Sequence, residues 1–169
     1  FNMNYFKELE KILINVQSPA QYIGKEWNSI VKEHTPDKIK FAMAFPDTYQ
    51  IGMSYLGLQI IYGLLNSDEN IIAERVFSPW IDMEQKLREK DIPLLSLETH
   101  TPVKDFDVVG FSLQYEMCYT NVINILELAK IPVLSSERKC SDPIIIAGGL
   151  NAFSPEPLAD FIDIFFLGD

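Results

Sequence analysis

The chain has few cysteines and few histidines for its length. Of its 169 residues, only Cys118, Cys140, His34 and His100 belong to these two types. Two cysteines are too few for a disulfide framework, and they lack the close spacing of a metal-binding cluster. This usage is typical of a protein in a reducing compartment, so we expect a cytoplasmic location. Both histidines stand beside Thr-Pro pairs and are predicted to be solvated loop residues.

Basic side chains and long apolar runs are also scarce. Lys and Arg total 14 against 24 Asp and Glu, which gives a net charge of −10. Nucleic acids are bound through clustered cations, so no direct nucleic-acid partner is expected. The longest apolar runs, residues 144–149 and 161–168, are much shorter than the ~20 residues that cross a bilayer. The sequence therefore predicts no membrane span.

Apolar runs alternate with helical segments along most of the chain. The predicted strands are residues 39–45, 71–77, 107–113, 143–147 and 161–167. The predicted helices are residues 54–65, 80–90 and 119–130, and residues 92–97 form a short strand or an extended connection. Continuous Val/Ile/Phe runs are typical of parallel strands that are covered on both faces. We therefore predict a flavodoxin-like, doubly wound α/β fold with a mainly parallel five-stranded sheet in the order 2-1-3-4-5.

An N-terminal arm precedes the sheet. Residues 4–16 have the apolar spacing of an amphipathic helix, and residues 20–36 are interpreted as an arm that packs on the domain. Trp27 and Trp80 are expected to be packing groups, although Trp80 could line a pocket mouth. The expected organisation is a helical arm over residues 3–36 and a sheet domain over residues 37–169.

The loop after the first strand contains a partial binding motif. Residues 47–52 read D-T-Y-Q-I-G, and cobalamin-binding modules carry D-x-H-x-x-G at this place, so Asp47 and Gly52 match while Tyr49 replaces the histidine. In such modules a neutral imidazole coordinates cobalt, and the aspartate accepts its other N–H. A phenol with a pKa of about 10 is a weak ligand, so cobalt would be left unligated or screened by the Tyr49 ring. The alternative is that Asp and Gly are common in any strand-to-helix loop.

Two further loops follow strand ends, where open parallel sheets bind their ligands. After the third strand come Ser112, Gln114 and Tyr115, which could border a ligand or could merely satisfy backbone groups and pack. After the fourth strand, Gly148 and Gly149 would let the backbone approach a flat ligand without Cβ contact, with Asn151 beside them.

The fourth loop continues into a predicted short helix. Ser154 is expected to cap this helix, and Pro155 to occupy its first position.

In order along the chain, these segments resemble the N-terminal, cobalamin-binding-like domain of radical S-adenosylmethionine (SAM) proteins. The similarity covers residues 19–169 and includes P-A-Q-Y-I-G, A-F-P-D, S-L-Q-Y-E, Y-T-N-V and P-E-P-L-A-D. It implies that cobalamin is bound without a protein histidine, or that the domain helps to bind substrate. The implied cofactor-binding residues are Asp47, Tyr49, Gly52, Ser112, Gln114, Tyr115, Gly148, Gly149 and Asn151.

The chain lacks the C-x-x-x-C-x-x-C motif whose thiolates would hold an iron–sulfur cluster. The resemblance therefore places the [4Fe-4S] cluster and SAM in a catalytic barrel after residue 169, and this barrel is the expected partner. The chain alone is not expected to be catalytic. One alternative is a degenerate domain that binds no cofactor and serves as a docking surface for the barrel.

A flavodoxin or a phosphoacceptor receiver would share this topology, but neither fits the loops. The first loop is not a phosphate cradle, and the third strand ends without a phosphorylatable aspartate.

Overall fold

A five-stranded parallel sheet forms the centre of the protein in the computed structural model, which describes residues 5–168. The strands are β1 Ile39–Phe45, β2 Ile71–Phe77, β3 Val108–Ser112, β4 Ile144–Gly148 and β5 Ile164–Phe165. They lie in the order β2-β1-β3-β4-β5, and every neighbouring pair is parallel. The predicted fold class and strand order are confirmed.

Within residues 5–168, five α-helices pack on the two faces of this sheet. They are α1 Tyr5–Leu13, α2 Tyr49–Ser54, α3 Leu56–Ser67, α4 Ile81–Lys90 and α5 Tyr119–Leu128. Helices α1, α4 and α5 bury one face, here called the α5 face, in the larger apolar core. Helices α2 and α3 lie on the opposite α3 face, where Leu58 and Tyr62 pack against Met43 and Phe45. Among residues 5–168, no helix is long and apolar enough to cross a membrane.

The helical segment after β1 differs from its prediction. A single helix was expected over residues 54–65, but the structure has α2 and α3 on either side of Tyr55, whose backbone is extended. The Tyr55 N–H closes α2 on the Gly52 carbonyl, and the Tyr55 ring packs on Phe45 at 5.4 Å. The chain therefore gains a sharp corner at the carboxyl end of β1.

Several other elements differ in length or in their ends from the predictions. Residues 92–97 form an extended connection with one isolated antiparallel bridge, between Leu95 and Pro102, and not a strand of the sheet. Strand β5 keeps only two residues. Ser154 makes no capping hydrogen bond, because the 3-10 turn that follows, Glu156–Leu158, has Pro155 as its N-cap. The predicted start of the first helix, Asn4, lies outside the described residues.

A buried arginine ties the N-terminal arm to the sheet. Arg75 on β2 is fully buried and donates from its Nε to Glu98 Oε1 over 2.7 Å, while its backbone N–H donates to Glu98 Oε2 over 2.7 Å. Its terminal nitrogens reach Asn28 and Ser29 in the arm, and its guanidinium stacks 4.4 Å above the ring of Tyr62. The edge strand β2 is thereby covered by the arm.

Both histidines and one tryptophan differ from their predictions. His34 is mostly buried and lies 2.6 Å from the buried Glu74 carboxylate, and His100 packs on Phe6 with ring centroids 4.3 Å apart. They are therefore structural groups, because the arm and the loop after residue 97 fold over β2. Trp27 is fully exposed and is therefore not the packing group that was predicted, whereas Trp80 is about half exposed.

The Glu74 carboxylate predicts an acid dependence of stability. Burial opposes its ionisation, but hydrogen bonds from His34, Ser96 and Thr99 outweigh burial and lower the pKa of Glu74. A pKa below the unfolded value means that Glu74 stabilises the fold above pH ~4.5 and that this contribution is lost as the pH falls through the folded pKa. Glu74→Gln should therefore destabilise the protein most at pH 7, with a difference that shrinks below pH ~4.5.

Urea unfolding at pH 7 and pH 3.5 measures this difference. Glu116→Gln removes one exposed negative charge and is the control. An equal loss of stability for Glu74→Gln at both pH values would contradict the assignment.

Candidate functional site

The carboxyl ends of β1, β3 and β4 meet at one edge of the sheet. Ser112 pairs with Gly148 in register, and the Leu113 N–H donates to the Gly148 carbonyl over 2.7 Å. Asp47, directly after β1, accepts a hydrogen bond from the phenol of Tyr115 in the loop after β3. Residues from all three candidate loops therefore lie along the same rim, as parallel strands require.

A groove of about 520 Å³ opens beside this rim on the α3 face. It lies between α3 and strands β3 and β4. Its apolar walls include Phe41, Met43, Ile61, Ile146, Phe153 and Phe166. No charged side chain of the described residues lines it. Of the candidate residues, Ser112, Gln114, Gly148 and Gly149 border the groove.

A chain of three polar side chains crosses the groove. The Tyr55 hydroxyl donates to Gln114 Oε1 over 2.6 Å, and Gln114 Nε2 donates to Ser112 Oγ over 2.8 Å. The Ser112 hydroxyl accepts in this chain, so its own proton remains to be donated. The groove therefore combines a large apolar surface with one oriented hydroxyl, which is a usual composition for a small-molecule site.

The glycine pair after β4 serves two different purposes. Gly149 has φ +108°, and a Cβ there would lie 2.5 Å from the Leu113 carbonyl oxygen, so the fold itself requires glycine. A Cβ on Gly148 would meet only Phe166 Cβ, at an ordinary 3.7 Å. The packing of the domain does not require glycine at 148, yet any side chain there would fill the groove.

A comparison with known protein families identifies the family of this chain. A profile described as "Radical SAM proteins, N-terminal" matches residues 57–169. The chain belongs to this family. The matched residues include nearly all of α3, strands β2 to β5 and most of the groove lining, while β1, Asp47, Tyr49, Gly52 and Tyr55 precede them.

One curated relative matches over most of the radical SAM N-terminal domain. It is an uncharacterized protein of Methanocaldococcus jannaschii, 25% identical over 132 residues, which make up 76% of this chain and 23% of that protein. The chain therefore spans less than a quarter of the length of the relative. No solved structure gives a significant match.

The loop after β1, which precedes the residues that the family profile matches, points away from the groove. The Tyr49 hydroxyl donates to Glu26 Oε1 over 3.0 Å, and its ring packs edge-on against Phe77. Burial and then Glu26 raise the pKa of Tyr49, so it stays a neutral phenol. It lines a separate cavity of about 50 Å³ next to Arg75. A Cβ on Gly52 would lie 2.3 Å from the Phe77 ring, so this glycine is explained by close packing of α2 on the sheet.

Asn151 lies just beyond the groove lining. Its backbone N–H donates to the Leu113 carbonyl over 3.1 Å. Its side-chain Nδ2 is buried and has no hydrogen-bond partner among the residues that the structure describes. A buried unpaired amide donor is costly, so Asn151 marks a position where an acceptor would be stabilising.

Sequence reasoning missed most of the groove lining, including Tyr55, Gly110 and Phe166. Tyr55 was assigned to the start of the helix over residues 54–65, Gly110 to the third strand, and Phe166 to the last strand. An isolated glycine within an apolar strand indicates that another group approaches the backbone closely. Gly110 makes room for the Phe41 ring, since a Cβ at position 110 would lie 2.7 Å from that ring. The positions of Tyr55 and Phe166 depend on contacts between distant segments and leave no such local signal.

Proposed function

We propose that the groove binds a flat, mainly apolar small molecule for the radical SAM protein of which this domain is the N-terminal module, with cobalamin as the first candidate. The observation that supports this most directly is Gly148, which keeps the groove open although the packing of the domain would tolerate a side chain. A second support is the Ser112 hydroxyl, which the Tyr55–Gln114 chain holds in place at the groove.

The residues fit cobalamin only if cobalt has no ligand from this domain. Tyr49 is a neutral phenol whose hydroxyl donates a hydrogen bond to Glu26. Asp47 accepts hydrogen bonds from the Tyr115 hydroxyl and from the Thr48 N–H. Neither can serve the metal as the histidine and aspartate of related modules do. Ser112, Gly148 and Gly149 would instead contact an organic part of the molecule. When bound, cobalamin would supply radical chemistry, and the iron–sulfur cluster and SAM would belong to the catalytic part of the parent protein.

A second candidate is a docking role without any cofactor. The docking role is favoured by the replacement of the cobalt-binding histidine by Tyr49. Without this ligand, the loop after β1 has only structural contacts and no role in binding a metal. In this case the groove would receive an apolar part of the catalytic barrel of the parent protein. Co-purification of the separately expressed catalytic half, without added cofactor, would support this candidate.

Titration of the chain with hydroxocobalamin, followed by visible absorbance and equilibrium dialysis, tests the first candidate. We expect saturable uptake, and we expect Gly148→Val to weaken it at least about tenfold, because two methyl groups would enter the groove. Gly63→Val is the matched control, since a Cβ at position 63 of α3 meets nothing within 4 Å. No uptake by a folded chain would exclude cobalamin, and equal uptake by Gly148→Val would place the binding elsewhere.

A further inference from the structure

Residues 5–168 leave half of the α3 face of the sheet uncovered. Ile144 on β4 and Ile164 on β5 point to this face and are 50% and 47% exposed. Their neighbours Val109 and Ile145, which point to the α5 face, are completely buried. Parallel sheets are normally covered on both faces, because their strands are apolar on both sides. In the part of the chain that the structure describes, strands β3 to β5 therefore lack a covering element on the α3 face.

The topology explains why no element between β1 and β5 covers these strands. Right-handed crossovers put the connection on one face when the chain moves one way along the sheet and on the other face when it moves back. Only the β1-to-β2 step moves toward the β2 edge, and its helices α2 and α3 lie on the α3 face. The later steps move toward β5, so α4, α5 and the turns before β5 lie on the α5 face.

The flank of α3 completes the shape of this uncovered surface. Ile61 and Leu64, one turn apart, are 47% and 68% exposed, and Ile61 borders the groove over β3 and β4. Together with Ile144 and Ile164 they form a trough, here called the open trough, beside a groove that no charged residue lines among those described. An uncharged trough between a helix and a sheet fits one amphipathic helix with its apolar side inward.

We infer that the open trough is covered by an amphipathic α-helix from the polypeptide that follows β5 in the same protein. The family places this domain at the N-terminus of radical SAM proteins, and the chain spans 23% of the length of its relative. Strand β5 is the edge strand next to the trough, and the residues after it, Phe166 and Leu167, are 60% and 57% exposed. Polypeptide that continues from there needs only a short turn to enter the trough. The inference does not depend on a ligand in the groove, because Leu64, Ile144 and Ile164 of the open trough do not line the groove.

Thiol accessibility in the full-length parent protein tests this inference. Ile144→Cys is introduced into a Cys140→Ser background, because Cys140 is an exposed thiol whereas Cys118 is buried. In the 169-residue chain the new thiol should react rapidly with a maleimide. In the full-length protein we expect labelling at least about 100-fold slower, because reaction then requires local opening of the covering helix. Ile81→Cys, on the outer side of α4 and 74% exposed, is the matched control and should react equally in both.

Two results of the labelling experiment would overturn the inference. One is equal reactivity of the thiol introduced at position 144 in both proteins. The other is protection already in the isolated chain that increases with protein concentration, because a second copy would then cover the trough. If this thiol is protected only in the full-length protein, a photo-crosslinker attached to it identifies the contact. Crosslinks to the first helix after residue 169 support the inference, and crosslinks only to more distant parts of the protein contradict it.

Discussion

Arg75→Met is expected to lower the free energy of unfolding by about 3–5 kcal/mol. The guanidinium is fully buried, and it neutralises the carboxylate of Glu98, whose side chain is also fully buried. Burial already raises the pKa of Glu98 against the opposing effect of Arg75. Methionine fills a similar volume but leaves this carboxylate without a counter-charge. The loss should be smaller at pH 5 than at pH 8, because Glu98 can then take up a proton in the folded variant.

Urea unfolding of the variant and the parent chain at both pH values measures this effect. Arg88→Met is the matched control, because Arg88 is 46% exposed and pairs with Glu84 on the surface of α4. We expect it to cost less than about 1 kcal/mol. The double change Arg75→Met with Glu98→Leu should recover part of the stability, since it removes the unpaired charge as well. A similar loss for Arg75→Met and Arg88→Met would contradict the structural role of the buried pair.

Gly149→Ala is expected to destabilise the domain by about 3 kcal/mol. The backbone at this position, φ +108° and ψ −179°, belongs to a region that essentially only glycine adopts. The added methyl would also lie 2.5 Å from the Leu113 carbonyl oxygen, which accepts a hydrogen bond from the Asn151 N–H. The substitution must therefore move the loop after β4 or the end of β3.

Thermal and urea unfolding measure this second effect, with Gly148→Ala as the control at the neighbouring position. We expect Gly148→Ala to change stability by less than about 1 kcal/mol, because its Cβ has room in a strand conformation. The difference in unfolding free energy between Gly149→Ala and Gly148→Ala therefore measures the backbone strain at position 149. It separates this strain from the effect of adding a methyl group at the groove. Equal stability of the two variants would mean that the loop after β4 adapts without strain.

The sheet was predictable because its signal is local. Each strand is a short run made mainly of apolar residues, the first three runs are followed by helical spacing, and right-handed crossovers leave few strand orders to consider. The split of the helix after β1 was not predictable, because Tyr55 is a tolerable helix residue and only its contacts with Gly52 and Phe45 make it extended.

The candidate site was only partly predictable for a similar reason. A strand-end position assigns a residue to the rim, so Ser112, Gln114, Gly148 and Gly149 could be named from their place after β3 and β4. A strand-end position does not determine to which face of the sheet the side chain points. The Tyr49 ring turns to Glu26 in the arm, which lies 23 residues earlier in the chain.

The buried polar groups were the least predictable part of the molecule. Glu74 and Arg75 interrupt an apolar run, and as neighbours in a strand they point to opposite faces, so no local pattern assigns them buried partners. His34 resembles a loop residue. In the structure the arm and the loop after residue 97 close over β2 and pair all three.

The amino-acid sequence by itself determined the parallel sheet, its order and the rim where its loops meet, because these follow from apolar periodicity and chain handedness. Only the tertiary structure decided that Tyr49 leaves the groove, that Gly148 keeps it open and that one half of the α3 face is bare. These features depend on which distant segments come into contact, and local patterns carry no information about such contacts.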